Sequence, residues 1–195
     1  LKHLHPGAAI PILEAQMITY LKNTEAGLEK MDGLVNNCWL NVIDPTPEDI
    51  QTLVELGIPQ DFSTYPLDMD ERARTEKEDN GIILIILRIP YFQGVKVDIP
   101  YTTIPMGIII TERFIVTICR WPNEIISEMS SGRMRGLSTG KRNRFVLRLL
   151  LSTANKFLMY LREINKVVDS LEDRLQLSLR NKELTELLKY QKSLV

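Results

Sequence analysis

The stretch Ile82-Ile83-Leu84-Ile85-Ile86-Leu87-Arg88-Ile89 is apolar at nearly every position and β-branched at most of them. A run of that composition reads as a strand covered on both faces, so it is taken as the central strand about which a sheet is built. Downstream, Gln93 and Gly94 mark a turn, and Asp98 to Ile104 and Met106 to Thr111 read as two further strands. Glu112-Arg113 is a tight connection into a last strand, Phe114 to Cys119. Consecutive strands joined by short loops are antiparallel neighbours. Trp121-Pro122-Asn123 then leaves the sheet, and Asn123 is placed to cap a helix that carries Ile125, Ile126 and Met129 and stops at Gly132.

Upstream, Pro59 to Asp79 is polar and acidic, a surface segment with room for a short helix or strand. Before it, Asp44-Pro45-Thr46-Pro47-Glu48-Asp49 predicts a helix start. Thr46 can cap, Pro47 suits the first turn, and Glu48 and Asp49 favour the positive end of the helix dipole. Ile50, Leu53, Val54 and Ile58 supply the buried face and Gly57 ends the helix. Cys38 to Ile43 and Gln16 to Lys22 read as strands, with Asn23 and Gly27 as turn residues before a short strand candidate, Leu28 to Met31.

After a small, basic segment, Ser130 to Arg144, which reads as a solvated loop, comes a long amphipathic arm. Apolar residues recur in steps of three and four from Phe145 through Leu147, Leu150, Leu151, Ala154, Phe157, Leu158, Leu161, Ile164, Val168 and Leu171 to Leu175. The phase is lost near Leu177 to Asn181, and a second run, Leu184, Leu187, Leu188 and Leu194, starts on a new register, which predicts two helices meeting at a tight turn. The second run reaches Val195 without a cap, Gly or Pro, and the chain starts at Leu1 rather than Met; both are expected of a piece of a longer protein. The reading thus divides the chain into a leader or disordered terminus over 1–15, an α/β domain over 16–140 and a truncated helical arm over 141–195. The expected fold is α/β (α+β): a mixed, largely antiparallel sheet with helices on both faces, followed by a long antiparallel helical hairpin.

The 195 residues carry a formal net charge of −1, with 25% charged, so no overall field points to nucleic acid or to an anionic membrane surface. Cys38 and Cys119 lie in apolar stretches without CxxC or His neighbours, and are expected as reduced core residues. No apolar run approaches the ~20 residues that would span a bilayer. His3 and His5 fall in the leader and are read as adventitious at most. Gly132, Gly136 and Gly140 lack the preceding strand and the Lys-Ser/Thr pair of a phosphate loop, and no His lies in the folded part to serve as a base. The chemistry that remains is carboxylate chemistry. Asp44, Glu48 and Asp49 form a helix-start cluster, and Asp61, Asp68, Asp70 and Glu71 an acidic loop; either can collect a hard cation such as Mg²⁺, and either can be merely solvated surface.

The residues as a set resemble the N-terminal cytoplasmic domain of CorA-type magnesium transporters. The resemblance is carried by Trp39-Leu40-Asn41-Val42-Ile43-Asp44-Pro45 before a helix, by Leu56-Gly57-Ile58-Pro59 and the acidic loop into Arg72 and Arg74, and by Ile109-Ile110-Thr111 with Val116-Thr117-Ile118. In the arm it is carried by Asn181-Lys182-Glu183-Leu184, Leu187-Leu188 and Lys192-Ser193-Leu194-Val195. What it implies is a funnel-shaped homopentamer whose intracellular α/β/α part bears a helical hairpin beside a central stalk. Phe145 to Leu175 and Leu179 to Val195 would then be the outer helices, with the stalk, two membrane spans and a Gly-Met-Asn signature following. It also implies a regulatory Mg²⁺ between neighbouring subunits, held by a carboxylate of the acidic loop and one from the next subunit's stalk. The loop's acids fall here at Asp61, Asp68 and Asp70, while alignment on Arg72 puts Tyr65 near the family's usual acidic position. Members of the family also move Co²⁺, Ni²⁺ or Zn²⁺. On this reading the chain has no catalytic activity and sits at the cytoplasmic face of a membrane, a monomer or weak dimer by itself and pentameric in the whole protein. A soluble scaffold acting through its amphipathic arm is the alternative, and a nucleotide-using enzyme is a third.

Overall fold

The computed structural model describes residues 17–177 and 181–194; the leader, with His3 and His5, and most of the predicted turn between the arm helices lie outside them. Strands β1 (Ile18–Thr24), β2 (Gly27–Met31) and β3 (Trp39–Ile43) lead into helix α1 (Pro47–Glu55). The short helix α2 (Gln60–Thr64) and a 3-10 turn (Tyr65–Leu67) precede strands β4 (Arg74–Lys77), β5 (Ile83–Phe92), β6 (Tyr101–Ile110) and β7 (Ile115–Cys119). Helix α3 (Glu124–Ser130) follows, and then the arm, α4 (Arg142–Leu177) and α5 (Asn181–Lys192). The seven strands lie in the order β2-β1-β3-β7-β6-β5-β4, antiparallel throughout except for the β3–β7 pair. The expected mixed, largely antiparallel sheet is the one observed.

The centre of that sheet is β7, not the run Ile82 to Ile89. All five residues of β7 are buried, and they alternate between two cores with the period of a pleat. Ile115 and Cys119 face one layer with Trp39, Ile108, Ile125, Ile126, Met129, Phe145 and Leu149. Val116 and Ile118 face the other with Leu40, Val42, Leu53, Ile58, Phe62, Leu84 and Ile86. Helices α3 and α4 cover the first face; α1 and α2 cover the second. The isoleucine-rich strand β5 stands one place from the edge, with Ile83, Ile85 and Leu87 only half-buried. Continuous apolarity was a poor guide to position because the outer neighbour is a four-residue strand, Arg-Thr-Glu-Lys, whose charges blunt the edge without being apolar themselves.

Two other expectations need correction. The two strands predicted over Asp98 to Ile104 and Met106 to Thr111 are one, β6, which starts only at Tyr101, ends at Ile110 and runs through Pro105. The Pro105 carbonyl accepts from Cys119 Sγ (3.4 Å) and so faces the β7 side, where ladder pairing begins only with Met106 opposite Cys119. The missing N–H lies on that side as well, past the end of β7, so the β5–β6 ladder loses no bond. The basic segment before the arm is not wholly solvated: Leu137 and Thr139 are buried. Thr139 N donates to Asn23 Oδ1 (2.8 Å) and Asn23 N to Thr139 Oγ1 (3.1 Å), which places Asn23 in β1 rather than in a turn.

The predicted caps appear as drawn from the sequence. Thr46 Oγ1 accepts from Asp49 N (3.2 Å) while Asp49 Oδ2 accepts from Thr46 N (2.9 Å), a reciprocal capping box. Asn123 Oδ1 accepts from Ile126 N at 2.9 Å. Cys38 and Cys119 are free and buried, and burial raises both thiol pKa values.

Helix α4 has 36 residues, so it is about 54 Å long at 1.5 Å per residue. It packs on α3, the sheet and α5. Phe145 meets Trp39 edge-on with ring centres 5.1 Å apart, and Trp39 Nε1 donates to Thr117 Oγ1 (2.7 Å) beneath it. Of the predicted apolar stripe, Phe145, Ile164 and Leu171 are buried. Leu147, Leu150, Leu151, Phe157, Leu158 and Leu161 are 36% to 65% exposed. The arm therefore carries a second apolar face that nothing in this chain covers among the described residues.

Candidate functional site

The acidic loop is ordered from below by the sheet. Gly107 on β6 has no side chain where Pro66 of the 3-10 turn comes down: a Cβ there would stand 2.3 Å from Pro66 Cγ and 2.8 Å from Ile118 Cγ2. That close approach seats α2 and the 3-10 turn on the sheet, with Phe62, Ser63 and Pro66 buried and Asp61 left exposed in the first turn of α2. Asp68 caps the end of the 3-10 turn. Its Oδ1 accepts from Asp70 N (3.0 Å), and its carbonyl accepts from Glu71 N (3.1 Å).

Two arginines hold this loop, Arg74, which the family resemblance already marks, and Arg88, which the sequence reading does not single out. Arg74 on β4 bonds to both Glu71 and Glu76, and its guanidinium lies over the Tyr65 ring, 4.6 Å from the centroid. Tyr65 feels the Asp61 carboxylate most strongly, and that charge, ahead of burial, raises the phenol pKa above its usual value. Arg88 on β5 donates from Nε to Thr103 Oγ1 (2.9 Å) and from Nη2 to the Thr103 carbonyl (2.8 Å). Its Nη1 donates to the carbonyls of Met69 (2.8 Å) and Glu71 (2.9 Å), on either side of Asp70. One signal for Arg88 existed: it is the lone charge in the isoleucine-rich run.

Asp61, Asp68 and Asp70 do not form a closed cage. Among the described residues no group of three or more His, Cys, Asp and Glu side chains is arranged to hold a metal ion. The loop can offer an external cation one or two carboxylates, which is the number Mg²⁺ takes from a protein when it keeps most of its waters. The helix-start cluster offers less, because Asp49 is already engaged with the Thr46 amide and hydroxyl.

At the opposite end of β6, the arm is tied down by an aromatic and polar foot. Tyr101 packs against Tyr160 (5.0 Å) and Phe92 (4.9 Å), and its hydroxyl donates to Glu163 Oε2 (3.1 Å). Tyr101 N donates to Ser193 Oγ (3.3 Å), and Lys192 pairs with Asp98 (2.8 Å). A cleft of ≈490 Å³ opens here between Tyr101, Phe157, Tyr160, Leu161 and Lys192. Ser193 Oγ, which borders it, donates to Lys189 O and so is spent on backbone groups rather than paired with a base.

The family model for the CorA-like Mg²⁺ transporter protein matches residues 36–195, which takes in β3, the acidic loop, the rest of the sheet and the arm. The chain belongs to the CorA-like family. Solved structures share its fold. The soluble domain of CorA from Methanocaldococcus jannaschii is 22% identical with a TM-score of 0.74, over 91% of this chain and 71% of that one. The complete CorA magnesium transporter from the same organism gives 22% and 0.72, over 91% of this chain and 57% of that one. The ZntB cytoplasmic domain from Vibrio parahaemolyticus RIMD 2210633 gives 13% and 0.64, over 80% and 64%. No curated protein matches the chain. This CorA-like chain thus spans a little over half the length, 57%, of the complete transporter it resembles. No helix among its described residues is long and apolar enough to cross a membrane.

Proposed function

We propose that this chain is the cytoplasmic regulatory and assembly part of a CorA-like transporter or channel for a divalent cation, Mg²⁺ or a relative such as Co²⁺, Ni²⁺ or Zn²⁺. The observation that carries the reading is the extent of the family match, which runs through both the sheet and the arm. Two features support it. The arm presents Leu147, Leu151 and Leu158 to solvent at 50% to 65% exposure, an apolar face suited to packing within a homopentamer of the whole protein. The acidic loop offers an incomplete set of oxygen ligands of the kind a site shared between two subunits requires. In that site Asp61, Asp68 and Asp70 supply one half, a neighbouring subunit the other, and bound Mg²⁺ offsets the repulsion between them and favours the closed arrangement. The same division makes any Mg²⁺ response of this chain alone weak, about millimolar at tightest, since Mg²⁺ gives up its waters reluctantly for one or two carboxylates.

The test is protease protection of the whole protein across a Mg²⁺ titration. Asp61→Asn, Asp68→Asn and Asp70→Asn together keep size and hydrogen bonding while removing charge. The triple variant should need more Mg²⁺ for protection or lose the response; an unchanged midpoint would make these carboxylates solvated surface and place any sensor elsewhere. The apolar face equally suits a soluble scaffold that docks a partner helix along α4, and a whole protein without two apolar spans after this chain would favour that reading.

A further inference from the structure

We infer that Arg88 is the positioning residue of the acidic loop: its guanidinium fixes the backbone around Asp70 to β6 and thereby sets where Asp68 and Asp70 present their carboxylates. The inference rests on the regulatory-metal reading above for its functional consequence, but its geometry stands by itself. Arg88 is half-buried in β5, yet three of its nitrogens are engaged, and the four acceptors divide evenly between two bodies. Nε and Nη2 hold Thr103 of β6 through hydroxyl and carbonyl, and Nη1 bridges the Met69 and Glu71 carbonyls.

The loop has no comparable anchor of its own. Its internal bonds, Asp70 N to Asp68 Oδ1, Glu71 N to Asp68 O and Arg72 N to Glu71 Oε1, all close within five residues, so they shape the loop without placing it. Arg74 ties Glu71 to β4, the polar edge strand, through side chains only. Arg120, just past β7, also reaches a carbonyl, Leu67 O (3.4 Å), but that lies in the 3-10 turn; among the described cations only Arg88 holds the carbonyls on either side of Asp70. A planar guanidinium can span these two pairs of acceptors at once; an ammonium, a single point with three donors, cannot serve both sides in one position. Thr103 is also two residues from Tyr101, where Glu163 and Ser193 of the arm attach, so the loop and the foot of the arm share one strand.

The experiment uses the 195-residue chain, Arg88→Met, which keeps the aliphatic stem, and Arg88→Lys, which keeps the charge. Amide exchange is read at Asp70, Glu71 and Arg72, with β3 amides on the far side of the sheet as reference. Loss of the clamp should speed exchange at the three loop amides about tenfold or more in both variants and leave β3 unchanged. The second readout is line broadening by millimolar Mn²⁺, a hard, oxygen-seeking probe for Mg²⁺. Broadening centred on Asp68 and Asp70 should fall at least about threefold in both variants while that at Glu48 and Asp49 stays constant. Unchanged exchange overturns the inference, and so does faster exchange with undiminished broadening, which would leave Arg88 a structural tie only. Should Arg88→Met fail to fold, Arg88→Lys decides. If the unaltered chain shows no preference of Mn²⁺ for Asp68 and Asp70 over the capping acids, the regulatory-metal reading fails by itself, and the exchange arm still decides whether Arg88 places the loop.

Discussion

Gly107→Ala should be among the most damaging single-methyl additions in this protein, and the damage should be local to the acidic loop's base. The added Cβ meets Pro66 Cγ at 2.3 Å, Ile118 Cγ2 at 2.8 Å and Pro66 Cβ at 3.1 Å. None of these yields by rotating away: Pro66 is a ring in a buried 3-10 turn, and Ile118 is fully enclosed in the central strand. Overpacking of a tight core costs about 1–3 kcal/mol, and two clashing partners place this substitution toward the upper end, at about 2–3 kcal/mol. For a chain of this size, that corresponds to roughly 4–12 °C in melting temperature. Urea denaturation followed by far-UV circular dichroism is the assay, with an unchanged m-value required for the comparison. The double variant Gly107→Ala/Pro66→Ala removes the 2.3 Å clash and keeps the one with Ile118, so it should recover part of the loss relative to the sum of the single effects. A loss below about 0.5 kcal/mol, or strict additivity in the double variant, would refute the view that Pro66 is seated on Gly107.

Tyr101 is pushed up to about 12, by burial first and then by Glu163, and Tyr160 is also raised, by burial and Glu124. The folded protein therefore keeps phenolic protons that the unfolded chain gives up above about pH 10, so the tyrosines' contribution is level below that pH and stability falls as pH rises through roughly 10 to 12, on top of a decline that the buried thiols of Cys38 and Cys119, also raised, begin at lower pH. Urea midpoints at pH 9, 10 and 11 alongside tyrosinate absorbance test this, and a Tyr101→Phe variant with the same decline would acquit Tyr101. On the arm, Leu151→Gln with Leu158→Gln should leave the melting temperature within about 2 °C, because both residues are half exposed. The pair should weaken whatever self-association the unaltered chain shows in sedimentation equilibrium, where we expect a monomer or weak dimer; a marked loss of stability would mean that the face is covered within the chain.

Most of the sheet was legible because strands and caps are local. Thr46, Asn123 and the apolar runs Cys38 to Ile43 and Phe114 to Cys119 act within a few residues of themselves, and each predicted its element to within two residues. What was not legible depends on partners far away in sequence. The rank of β5 in the sheet is set by β4 on one side and β6 on the other, and Pro105 is harmless only because β7 ends opposite it. The candidate site divides the same way. Its acids announce themselves by composition, whereas their placement depends on Arg88 bonding to Met69 and Glu71, 19 and 17 residues away, and on an absent side chain at Gly107.

The arm shows the limit most clearly, since its pattern reads as one stripe and the helix holds two. At 100° per residue, counting from Phe145, the buried positions Phe145, Leu149, Thr153, Tyr160, Ile164 and Leu171 spread around a direction near ~60°. The exposed ones, Leu147, Leu150, Leu151, Phe157, Leu158 and Leu161, spread around ~180°. The two directions differ by about a third of a turn, so steps of three and four residues cross from one to the other and merge the two into a single stripe in the sequence. Both faces use the same residue types, and nothing local distinguishes a leucine that meets the sheet from one that does not. Only the position of Trp39 and of α3 beneath Phe145 and Leu149 decides which face is inside. An apolar arc this wide exceeds what one neighbour can cover. Its second half stays uncovered among the described residues, and that uncovered half is what the assembly role proposed above would use.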